Sequence, residues 1–159
     1  VTYGATGNVF RNIKFDPKSP CAIDFHGGSI IPGTANLYER IENGAVIAAG
    51  GAAPHAGPYN VFWNISVPEK GLGYGKNEFF SAFFFYWGAY RKKGHPMRYD
   101  NHLLLPRSVV AGVYRKSGRK VDIHQSTADR RTDTITVEGL NKPGIQPASL
   151  YQAQRARRE

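Results

Sequence analysis

The chain has 159 residues, which suits one domain with a hydrophobic core, and its content of 41% hydrophobic and 13% aromatic residues argues against a disordered chain. Eighteen Gly and 10 Pro point to a turn-rich, β-rich protein, and the single cysteine, Cys21, excludes an internal disulfide and a CxxC metal or redox site. The net charge of +9 favours polyanionic partners: nucleic acid, anionic lipid or acidic polysaccharide.

The chain starts at Val1 and enters a patterned region almost at once, so it reads as a processed product or a piece cut from a longer precursor. The first predicted strand holds the hexamer Asn8-Val9-Phe10-Arg11-Asn12-Ile13. "AIDFHGG" follows at 22–28, a short strand ending in a glycine turn, with Cys21 just before it as a small buried side chain. The hexamer returns as Asn36-Leu37-Tyr38-Glu39-Arg40-Ile41 and again as Asn60-Val61-Phe62-Trp63-Asn64-Ile65, with starts 28 and 24 residues apart. Each copy reads Asn, aliphatic, aromatic, variable, polar, Ile. A period in the twenties, punctuated by Gly27-Gly28, Pro32-Gly33, Gly50-Gly51 and Pro54–Pro58, excludes long helices and fits one coil of a β-solenoid per repeat.

Strand alternation then predicts each side chain's direction. Phe10, Tyr38 and Phe62 form an inward aromatic row, and Ile13, Ile41 and Ile65 a second inward row beyond a bend. Asn12, Arg40 and Asn64 fall at the bend, where stacked Asn side chains would hydrogen-bond to one another and Arg40 interrupts the ladder. Arg11, Glu39 and Trp63 face outward in one column.

Residues 68–106 form an aromatic and basic insertion. "GYGKNE" (73–78) lacks the spacing of a phosphate loop, and "EFFSAFFFYWGAY" carries eight aromatics from Phe79 to Tyr90. Its longest uncharged apolar run, Phe79–Trp87, is too short and too interrupted to span a bilayer. The stretch reads as a strand or loop packed flat on the coils, as an interface with missing N-terminal coils or another subunit, or as a wall on which sugar rings stack. In the terminal strands, 107–146, "SVVAGVYRKSGRKVDIHQS" reads as a β-hairpin around Lys116-Ser117-Gly118, and "DTITVEGLN" as a further strand. The tail, 147–159, reads as a short helix started by Pro147 and Ser149, with arginines near its end, placed to cover an open end of the solenoid.

The "NVFRNI" coils, "AIDFHGG", "GPYNVFWNI" (57–65) and the closing "PASLYQAQRARR" (147–158) resemble right-handed parallel β-helix proteins of the pectin-lyase-like superfamily. The resemblance implies an all-β right-handed parallel β-helix with a short C-terminal helix, one domain forming the C-terminal part of a longer helix, with clear coils over 1–67. It also implies a secreted or cell-surface protein that cleaves a polysaccharide, and the net charge makes an acidic polymer the preferred one.

Two chemistries compete. A lyase must neutralise a sugar carboxylate, remove the adjacent proton and protonate the leaving oxygen, tasks for Arg, Lys, His and Tyr, sometimes with Ca²⁺ held by carboxylates. Arg40, His26, His55, Tyr59 and Lys70 are the candidates near the coils. A hydrolase needs two carboxylates, about 5–5.5 Å apart for retention or about 6.5–9.5 Å for inversion; Asp24 and Glu39, on successive coils, are the obvious pair. Asp24 and His26, two residues apart on one strand, form the best local constellation, so Asp24, His26 and Arg40 are the catalytic candidates. Glu39, His55, Tyr59, Trp63 and Lys70 are the substrate-binding candidates. The bland alternatives are a turn-capping His26 and a surface His55. The five histidines show no i, i+4 pair, so no resident metal or cofactor is expected, the lyase Ca²⁺ apart. A non-catalytic polysaccharide-binding or adhesin module is the second reading. Nucleic-acid binding is the third, disfavoured because no recognition helix accompanies the basic residues.

Overall fold

Parallel strands need long crossovers, and this chain provides them by visiting two sheets in turn. The computed structural model describes residues 6–17, 21–24, 34–49, 59–69, 83–86, 107–121, 123–125 and 136–159; for 21–24, 45–49, 83–86 and 123–125 it describes the backbone alone. The larger sheet contains β1 (Val9–Arg11), β3 (Leu37–Ile41), β5 (Val61–Ser66), β7 (Val109–Tyr114) and β9 (Thr136–Glu138) in that order. The smaller contains β2 (Cys21–Asp24), β4 (Gly44–Ala49), β6 (Phe83–Tyr86) and β8 (Ile123–Gln125). Every paired strand is parallel to its neighbour. With one helix, α1 (Leu150–Ala156), the described chain is all-β apart from its tail.

The register stacks the hexamers position on position. Phe10 pairs with Tyr38 and Tyr38 with Phe62. Their rings stack at 5.0 and 5.1 Å, tilted by only 5° and 10°. Tyr38, Phe62, Ile41, Ile65, Val110 and Val113 are all buried, so both inward rows are present as expected from the repeat. Burial holds the Tyr38 hydroxyl in its neutral form, pushing its pKa upward.

The bend between the rows is a column of left-handed residues: Asn12 (φ 56°), Arg40 (54°), Asn64 (52°), Gly112 (65°) and Gly139 (55°). Asparagine and glycine adopt this conformation most readily, which explains that position of the hexamer. A second left-handed column, Gly7, Ala35, Tyr59 and Arg107, stands just before each strand. Gly112 and Gly139 therefore mark two further copies of the repeat, Ser108-Val109-Val110-Ala111-Gly112-Val113 and, over its described part, 136–140, in register with the first three.

The asparagine ladder exists, but at the first position of the hexamer and not at the bend. Asn8 N donates to Asn36 Oδ1 (3.0 Å), Asn36 N to Asn60 Oδ1 (3.1 Å) and Asn60 N to Ser108 Oγ (3.0 Å). Asn36, Asn60 and Ser108 are buried, so the ladder satisfies polar groups that would otherwise be stranded where the strands begin. At the bend the side chains turn outward instead, and Asn64 Nδ2 donates to the carbonyls of Ile145 and Ala148 in the tail.

One other expectation is corrected. Lys116–Gly118 is not a hairpin turn: β7 and β8 lie in different sheets, and Gly118 (φ 80°) helps carry the chain from one to the other. The aromatic stretch supplies β6, a strand between β4 and β8; the side chains of that strand lie outside the description.

Candidate functional site: a basic cleft beneath the C-terminal segment

The tail lies across the outer face of the larger sheet. Ile145 packs on Gly112 and Gly139 so closely that a Cβ at Gly112 would stand 2.6 Å from Ile145 Cγ1. Trp63 Nε1 donates to Pro147 O at 2.8 Å. Ser149, the N-cap of α1, accepts from Gln152 N and donates its hydroxyl to Glu39 Oε1 at 2.6 Å; Tyr151 N donates to Glu39 Oε2 at 3.0 Å. The Arg11 guanidinium lies 4.9 Å from the Tyr151 ring centroid and 3.4 Å from Glu39. Residues 145–151 thus cross β7, β5, β3 and β1 in turn. The column Arg11, Glu39, Trp63 points away from the core as expected, but Glu39 is 0% exposed because the tail covers it.

Between tail and sheet is a cleft of about 600 Å³. Its floor is the bend, with Asn12, Arg40 and Asn64. One wall is the column beyond the bend, Lys14, Glu42, Ser66 and Tyr114, and the other is the tail, with Gly144, Ala148 and Gln152. Arg11 also lines the cleft. Arg40 and Lys14 are exposed. Glu42 is held by Lys116 at 2.6 Å, a contact that moves the Glu42 carboxyl below and the Lys116 amine above their ordinary values. Arg11 is matched by Glu39. Lys14 shares Glu42 with Lys116, so two lysines face one carboxylate and Arg40 adds to that excess, leaving the cleft net positive among amide, hydroxyl and phenol groups.

Of the expected catalytic residues that the structure describes, Arg40 lines this cleft. Asp24 is on β2 in the other sheet, where its register partner is Ile47. Glu39 lies in the larger sheet, in register with Arg11 and Trp63, and its carboxylate is enclosed by Ser149 and Tyr151. Trp63 spends its indole N–H on the tail and is half-buried. Tyr59 is 51% exposed at the other end of β5, where Arg107 donates to its hydroxyl at 2.8 Å and lies 5.9 Å from its ring centroid. His26, His55 and Lys70 lie outside the described residues. Lys14, Tyr114 and Gln152 were not singled out in the sequence, and Asn64 only as a member of the bend. Extending the Asn12/Arg40/Asn64 column by two residues gives Lys14, Glu42 and Ser66, and the "AGV" copy then adds Tyr114.

Among the described residues no group of His, Cys, Asp and Glu is arranged to hold a metal ion, and no helix is long and apolar enough to cross a membrane. The basic run 115–120 is partly consumed: Arg115 is 7% exposed, its Nε donating to Pro68 O at 3.2 Å, and Lys116 pairs with Glu42. No protein-family model, curated protein or solved structure matches the chain.

Proposed function

We propose that the protein is a right-handed parallel β-helix of the pectin-lyase-like kind, acting outside the cell, and that it binds an acidic polysaccharide in the cleft at Arg40. The strict alternation of strands between two parallel sheets supports the solenoid reading. The observation that carries the ligand is the cleft's net positive charge, Arg40 together with the lysine excess over Glu42, beside side chains suited to hydroxyl-rich rings. A guanidinium takes a uronate carboxylate through paired N–H donors, while Asn12, Asn64 and Gln152 offer donors and acceptors to sugar hydroxyls.

Cleavage by elimination is a second reading, favoured over hydrolysis by the lining. The only carboxylate among the described lining residues, Glu42, is tied to Lys116, whereas hydrolysis needs two working carboxyl groups. In elimination Arg40 would neutralise the sugar carboxylate, a solvent base entering the open cleft would take the adjacent proton, and Tyr114 would protonate the oxygen as the C–O bond breaks.

An array of neutral and uronate-containing polysaccharides tests binding, and ultraviolet absorbance of an unsaturated product tests elimination. Retention confined to acidic polymers, weakening with added salt, is the expected result. Equal retention of neutral polymers, or binding of DNA alone, would defeat the proposal.

A further inference from the structure

The larger sheet has a second corner, where its strands begin, on the side of the tail away from the cleft. Tyr59 stands just before β5 and Asn64 at its bend, with the tail seated on Trp63 between them. Gly7, Ala35, Tyr59 and Arg107 occupy this corner in register, with left-handed φ of 70°, 51°, 62° and 55°. We propose that Tyr59 and Arg107 form a second saccharide subsite, in which a uronate ring lies on the Tyr59 ring and places its carboxylate on Arg107. The subsite rests on the ligand class read from the cleft but uses none of the cleft's residues.

Gly7 and Ala35 show that the corner needs no large side chain. A bulky L residue there carries a backbone cost that Asn or Gly would largely avoid, so two in succession depart from what folding alone favours. The two side chains are also joined. Arg107 Nη1 donates to Tyr59 Oη at 2.8 Å, and the guanidinium lies 5.9 Å from the ring centroid. That bond orients the phenol, with Arg107 on one side of it in the column. Ala35 and Gly7 follow on the other side, with side chains too short to cover a ring, and Tyr59 keeps 51% of its surface exposed. Arg107 is exposed as well, and its other N–H groups have no acceptor among the described residues. The Thr6 and Thr34 hydroxyls, 3.0 Å apart, stand one residue before Gly7 and Ala35 and offer hydrogen bonds beside the open flank of the ring.

Such a pair holds a sugar acid in two ways. The face of a phenol carries partial negative charge and attracts the C–H groups of a pyranose. The guanidinium takes the carboxylate through paired, charge-assisted hydrogen bonds. Because Arg107 already orients the ring, less side-chain freedom is lost on binding. A polymer long enough to reach both corners gains from the two sites acting together.

Titration calorimetry with a uronate trisaccharide tests the subsite. Tyr59→Asn suits the left-handed φ, and Arg107→Gln keeps a polar side chain of similar reach; both should retain the far-ultraviolet circular dichroism spectrum. The unmodified chain should bind two equivalents, each of these variants one, Arg40→Asn one, and Tyr59→Asn combined with Arg40→Asn none. In the Arg40→Asn chain, the carboxyl-reduced trisaccharide should bind at least about tenfold more weakly than the uronate. One equivalent that Tyr59→Asn abolishes and Arg40→Asn leaves intact would uphold this subsite while removing the cleft. Two equivalents retained by Tyr59→Asn and Arg107→Gln, a single equivalent lost only in Arg40→Asn, no binding at all, or equal binding of the reduced trisaccharide would overturn the inference.

Discussion

Arg40 holds two properties in tension. Its φ of 54° is one that a long L side chain adopts at a cost of about 1 kcal/mol, whereas Asn is tolerated well there. The same bend recurs at Asn12, Asn64, Gly112 and Gly139, so the conformation belongs to the fold and only the side chain is special to this strand. Replacing Arg40 with Asn should raise the thermal midpoint by about 2–4 °C, read by differential scanning calorimetry. Arg40 was legible as the odd member of the repeat; its conformation was not, since three copies cannot distinguish an Asn ladder from an Asn bend. Glu39 shows the opposite failure. A carboxylate on an outward column reads as exposed, and only the tail, 110 residues later, encloses it. Glu39→Ala should destabilise by about 3–5 kcal/mol in urea denaturation, because it strands Arg11, the Ser149 hydroxyl and the Tyr151 N–H.

Among the elements, the tail sets the shape of the site. Its helix was legible from Pro147, Ser149 and the terminal arginines, and Ser149 caps it as those residues imply. Its seat was not legible. A seven-residue helix with no buried residue carries no apolar stripe to say which surface it will cover. The seat is fixed by polar latches at Glu39, Trp63 and Asn64, and by the glycines that leave room for Ile145. Ser149→Ala should lower stability by about 1–2 kcal/mol, loosen the tail and red-shift tryptophan emission as Trp63 gains water. A shift equal to that of an inert surface variant would speak against the latch. Gly112→Ala should be worse than an ordinary Gly-to-Ala change, since the added methyl both meets Ile145 and strains a φ of 65°.

For the whole molecule, the repeat made the parallel stacking legible, and among the described residues five copies stand where three were evident. The last two were hidden because Ser108 replaces Asn and valines replace the aromatics, while glycine serves at the bend. Acid should weaken this assembly at two surface links. Glu42 is kept below its ordinary range by Lys116, and Glu69 by Ser117, which donates both its hydroxyl and its N–H. A carboxyl whose pKa falls on folding contributes stability above its unfolded pKa and loses it as pH drops through the lower folded value. Stability should therefore fall modestly below about pH 4, and Glu42→Gln with Glu69→Gln should flatten that part of the profile. The most direct measurement for the central claim is titration calorimetry of a uronate oligosaccharide against the unmodified chain and Arg40→Asn. An intact, thermally more stable variant with affinity reduced at least about tenfold, or about 1.4 kcal/mol, is the predicted result; an equally stable variant that binds the acidic ligand as tightly as the unmodified chain would contradict it.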